Sequence, residues 1–141
     1  MLTELSILIV SYIGIFVGSY LYSVAGQEVI DNKKEIYFFQ QLLGIGIAIS
    51  FLMMLPTTTA NKLIAAALLA TIVYFTEEYY PLTGLLVGLN PTFLVSSLVF
   101  LYGFPRGSLL HNRAYKNVFK KTYLFLILGV LGLILRKFLF I

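Results

Sequence analysis

TIVYFTEEYYPLTGLLVGLNPT, residues 71–92, decides how this chain is read. Two adjacent carboxylates, Glu77 and Glu78, precede a helix-ending Pro81, and a second proline follows Asn90 in an otherwise apolar run. On a helical wheel for residues 60–80, Ala67, Thr71, Tyr74 and Glu78 share one face, and Ala66, Ala70, Val73 and Glu77 the next. Small, weakly polar residues favour helix contact over lipid, so both carboxylates are expected to point into a bundle. Pro91 has no N–H, which leaves the Val87 carbonyl without its helical partner. Intramembrane acids beside polar groups are functional candidates. The sharpest site the sequence offers is therefore a cation or proton site made of Glu77, Glu78, Asn90, the Val87 carbonyl, Gln40 and Gln41. Set against it is a solvated acidic turn beside a structural proline.

Moving outward, the 141 residues are 60% hydrophobic and only 11% charged. Soluble domains carry about 25% charged residues, so a water-soluble core is not the economical reading. Long apolar runs make the fold class all-α, a polytopic transmembrane helical bundle of four to five spans. The spans fall at about 5–26, 36–55, 60–80, 82–102 and 118–135, within a single domain, 1–141. The alternation of a membrane barrel is absent. A cleaved signal peptide at the start is disfavoured by Glu4, the lack of an early Lys or Arg, and the length of the apolar run. The Gly14/Gly18 and Gly84/Gly88 pairs are small-residue seams where helices can approach closely. The ten tyrosines are expected in interfacial belts.

The absence of cysteine excludes disulfides, thiol nucleophiles and cysteine-held metals or clusters. His111 is the single histidine. No cofactor is expected and no metal is assignable. Nucleic-acid binding is unlikely on charge distribution, since the cations gather in one short stretch, 103–121. From Leu109 onward that stretch reads as a short basic amphipathic helix lying in the interface. Arg106, Arg113, Lys116, Lys120 and Lys121 are its candidates for anionic lipid headgroups.

With five spans, the positive-inside rule places the N-terminus and the basic loop together on the cytoplasmic or inner side of a cell or organellar membrane. Glu28, Asp31, Glu35, Glu77 and Glu78 then collect at the opposite rim. If 82–102 instead dips in and returns at Asn90-Pro91, there are four crossings and both ends share a side.

Function follows from this only coarsely. The leading expectation is a non-catalytic membrane subunit or homo-oligomer, its partners being membrane lipids, other membrane subunits or copies of itself. Second is a small cation- or proton-coupled transporter or channel component using Glu78 and Asn90. Third is a lipid-phosphate enzyme using Arg106, His111 and Arg113. The residue inventory leans away from an enzyme, because acidic metal ligands or a histidine-based nucleophile would be needed beside the basic loop.

Overall fold

The structure, a computed structural model, describes residues 2–53, 58, 61–63, 65, 67, 80–110 and 115–139. Every element among the described residues is helical: α1 (Leu2–Asp31), α2 (Lys33–Met53), α3 (Tyr80–Leu89), α4 (Phe93–Leu109) and α5 (Tyr115–Leu139). By length and composition α1 and α2 are each able to cross a membrane, whereas α3 and α4 are shorter apolar helices. Most of the expected third span, with Glu77 and Glu78, lies outside the described residues.

Between the first two expected spans, 5–26 and 36–55, the break in the helix shrinks to Asn32. Its N–H and side-chain amide both donate to the Glu28 carbonyl, at 3.0 and 2.9 Å, and its own carbonyl accepts from Ile36 at 3.0 Å. The helical hydrogen-bond ladder therefore runs almost unbroken while charged side chains project from helix ends. The bend comes earlier, at Ala25 (φ −121°, ψ 36°), which leaves the helical region.

The apolar run 82–102 is two helices rather than one. Asn90 donates its N–H to Leu86 at 3.0 Å, Pro91 cannot continue the ladder, and extended Thr92 (φ −88°, ψ 153°) starts α4. The chain reverses here, bringing Tyr80 and Tyr102 side by side with ring centroids 6.1 Å apart.

Register across the bundle follows from named contacts. Gly14 meets the Phe100 carbonyl and Gly18 that of Phe104, so α1 and α4 run parallel. Gly84 meets the Phe125 carbonyl and Gly88 that of Gly129, so α3 and α5 also run parallel. The second pair is antiparallel to the first: Tyr12 meets Thr122, Leu8 meets Gly129, and Glu4 is ion-paired to Arg136. Two close-packed parallel pairs thus lie head to tail. α2 packs along α4, with Gln40 at Tyr102.

Gly103 and Gly107 explain why GFPRG is helix here, although its Gly and Pro content reads as loop. A Cβ on Gly103 would overlap Gly14 and Ile15, and one on Gly107 would overlap Ile15 and Ser19. Helix contact through the α1 seam holds the segment in place to Leu109, and Pro105 is tolerated within it. The interfacial helix expected from Leu109 falls partly on residues 111–114, which lie outside the described residues; Leu110 is a bend, and Tyr115 opens α5.

These directions correct the expected placement of charge. Glu4 and Arg136 bring the start of α1 and the end of α5 to one end. Because α4 runs parallel to α1 and α5 antiparallel to it, Arg106 and the start of α5 lie at the other. The N-terminus and the basic stretch are therefore at opposite ends of the bundle. Glu35 lines a groove with Phe104, Pro105 and Ser108, so the acidic turn shares an end with the basic stretch instead of facing it across the molecule.

Candidate functional site

An aromatic column occupies the centre. Tyr12 stacks on Phe125 (centroids 5.3 Å, planes 22° apart), Phe125 on Tyr80 (4.8 Å, 21°), and Tyr80 on Tyr102 (6.1 Å, 7°). The rings come from α1, α5, α3 and α4 in turn, so the column runs across both parallel pairs. Each stacked pair contributes about 0.5–1.5 kcal/mol beyond its buried area. These tyrosines are interior residues, contrary to the expected interfacial belt, although Tyr20 and Tyr123 are exposed.

Polar groups decorate the column. At one end the Tyr12 and Thr122 hydroxyls lie 2.8 Å apart, and Thr122 also donates to the Val118 carbonyl at 2.7 Å. The Tyr12 hydroxyl is therefore the donor to Thr122, whose own hydrogen is committed to Val118. At the other end the Gln40 amide donates to the Tyr102 hydroxyl at 3.0 Å. Gln40 is 4% exposed, Tyr80 1% and Tyr102 2%. Gln40 Oε1 and Tyr80 Oη are both buried and have no hydrogen-bond partner among the described residues. An unsatisfied buried polar group costs about 1–3 kcal/mol, so two around one tyrosine make this the most unusual polar feature of the interior.

Of the candidates named from sequence, those among the described residues are dispersed. Gln40 is in the cluster just described, whereas Gln41 beside it is half-buried. Asn90 is half-buried at the α3–α4 turn, separated from Tyr102 and Gln40 by roughly 15 Å of helical rise. Val87 is fully buried in the last turn of α3, with Pro91 unable to donate to its carbonyl. Glu77, Glu78, His111 and Arg113 lie outside the described residues, as do the side chains of Lys116 and Lys121. Arg106 is half-buried near the end of α4, and Lys120 is exposed early in α5. Sequence reasoning singled out Gln40 but missed Tyr12, Tyr80, Tyr102 and Thr122. No signal in the sequence set them apart, because a tyrosine in an apolar run fits a belt or a core, and Thr122 directly follows Lys120 and Lys121.

Two grooves open on the outside. One of about 490 Å³ lies between α1 and α4 and is lined by Ile7, Val10, Phe93, Phe100 and several hydroxyl residues. The other, about 400 Å³, lies where α1, α2 and α4 meet. No group of three or more His, Asp or Glu suited to a metal ion occurs among the described residues. Comparison with protein-family models, curated proteins and solved structures finds no match.

Proposed function

We propose that the chain is a polytopic integral membrane protein that works through its apolar exterior, as a non-catalytic subunit of a membrane assembly or as a homo-oligomer. One observation carries this reading. Large apolar side chains stand exposed on four of the five described helices: Val10, Tyr20 and Val24 on α1, Phe38 and Phe39 on α2, Phe93 on α4, and Ile127 and Ile134 on α5. Phe93 is 87% exposed. Only 44% of the apolar window of α1, and 33% of that of α2, is buried within the chain. A core helix of a soluble protein hides most of such a window, so this partial burial supports a covering of lipid or of other helices. Meanwhile the interior is welded through glycine seams, giving a stiff core with an adhesive outside.

In this reading α1, α2 and α5 cross the bilayer and the α3–α4 hairpin turns at Asn90-Pro91, while most of the expected span at 60–80 lies outside the described residues. Among the described side chains, Lys33, Lys34, Arg106 and Lys120 belong to the end opposite the N-terminus. The positive-inside rule then sets that end in the cytoplasm, with anionic headgroups around Arg106 and Lys120, and puts both chain ends outside.

The test is extraction and mass. The chain should stay with membranes in alkaline carbonate. In mild detergent it should run as a complex larger than its own 15.8 kDa plus micelle. Release by carbonate would end the membrane reading; a lone protomer in detergent would end the assembly reading.

A further inference from the structure

Of the two outer grooves, the one of about 400 Å³ has an ionisable residue in its lining and the other has none. Leu21, Val29, Ile36, Phe39 and Phe104 make its walls. Leu21 comes before the bend at Ala25 and Val29 after it. On an unbent helix residues eight apart sit roughly 12 Å apart along the axis, so the bend shapes one wall. Ser108 also lines the groove, but its hydroxyl is committed to the Pro105 carbonyl at 3.0 Å. The walls therefore offer hydrocarbon, and no free side-chain hydrogen-bonding group except the carboxylate of Glu35. Glu35 is exposed, as are Lys33 and Lys34 just before it in the first turn of α2. None of the three is ion-paired among the described residues.

A covering must suit both the apolar walls and the charged rim. An apolar helix seated on the groove would draw the Glu35 carboxylate out of water, which is costly without a paired cation. A phospholipid avoids that cost, because its acyl chain takes the walls while its head stays at the wet rim. The rim carries both signs within three residues, Lys33, Lys34 and Glu35, and so matches a head that carries both. A primary ammonium gives N–H donors to a carboxylate in a charge-assisted hydrogen bond, whereas a choline head has no N–H to give. We propose that this groove holds one acyl chain of a phosphatidylethanolamine, with its ammonium on Glu35 and its phosphate beside Lys33 and Lys34. This site rests on the membrane reading above and needs no partner subunit, since every residue named belongs to one protomer.

The test is native mass spectrometry of the full chain in mild detergent, offered dioleoyl phosphatidylethanolamine, phosphatidylcholine and phosphatidylglycerol in equal amounts. The unmutated chain should retain the ethanolamine lipid over each of the others by about two- to fivefold, the worth of one exposed ion pair. Glu35→Gln, a change at an exposed position, should leave the ethanolamine and choline lipids equally retained. Val29→Trp fills the groove and should lower retention of phosphatidylethanolamine, whereas Ser97→Trp, in the other groove, should not. Equal retention of the ethanolamine and choline lipids by the unmutated chain would overturn the proposal. So would a preference that survives Glu35→Gln, or unchanged retention in Val29→Trp. Preference for phosphatidylglycerol would overturn it in favour of a basic surface without a groove site. If the preference is absent while the chain stays in carbonate-washed membranes, the lipid site fails alone; release by carbonate ends the membrane reading and the site with it.

Discussion

Gly103 and Gly46 are the same residue type in apolar helix, with opposite consequences for a methyl group. A Cβ at Gly103 would lie 2.6 Å from Gly14 C and Ile15 N, which are backbone atoms that cannot rotate away. At Gly46 nothing lies within 4 Å. Gly103→Ala should therefore destabilise by about 1–3 kcal/mol through overpacking. Gly46→Ala should be neutral or stabilising by up to about 1 kcal/mol from helix propensity. Thermal denaturation in detergent reads both, and equal effects would show that the α1–α4 seam is not so close. Tyr12→Phe removes the donor to Thr122 but keeps the stack on Phe125. Interhelical hydrogen bonds in membranes average about 0.6 kcal/mol, so a loss of that order is expected, and none if Thr122 is not its partner. Glycine spacing was legible at this scale, since Gly14/Gly18 and Gly84/Gly88 mark real seams. The interior tyrosines were not, because a tyrosine in an apolar run fits a belt or a core equally well.

At the scale of elements, the reversal at Asn90-Pro91 governs the arrangement. Sequence shows the break but not its angle: a proline in an apolar run kinks one helix or ends it, and hydropathy continues across either. Here Pro91 and extended Thr92 turn the chain back, so α4 lies parallel to α1. The direction of pairing was equally hidden, since helices apolar on nearly every side carry no stripe to identify the neighbour. GFPRG is helical because contact of Gly103 and Gly107 with α1 outweighs its local Gly and Pro signals. The cysteine-free chain makes this testable with paired substitutions. Ser11 Oγ lies 3.3 Å from the Ser96 carbonyl. A short bifunctional thiol reagent should join Ser11→Cys to Ser96→Cys and fail to join Ser11→Cys to Ser108→Cys. The reverse pattern would make α1 and α4 antiparallel.

For the whole molecule, composition alone indicated apolar helices, and the described residues are all-helical. The arrangement of charge was beyond it, because an extra reversal exchanges the ends that every later segment occupies. One added turn moved the basic stretch away from the N-terminus and brought Arg136 to Glu4. That half-exposed ion pair contributes little to stability, about 0–1 kcal/mol; its value is positional, since it marks which ends coincide. The most direct measurement is labelling in sealed, oriented vesicles with a membrane-impermeant thiol reagent, on Thr3→Cys, Lys33→Cys and Lys137→Cys made singly. The account predicts that Thr3→Cys and Lys137→Cys react from one compartment and Lys33→Cys from the other. Labelling of Lys137→Cys together with Lys33→Cys, and apart from Thr3→Cys, would contradict it.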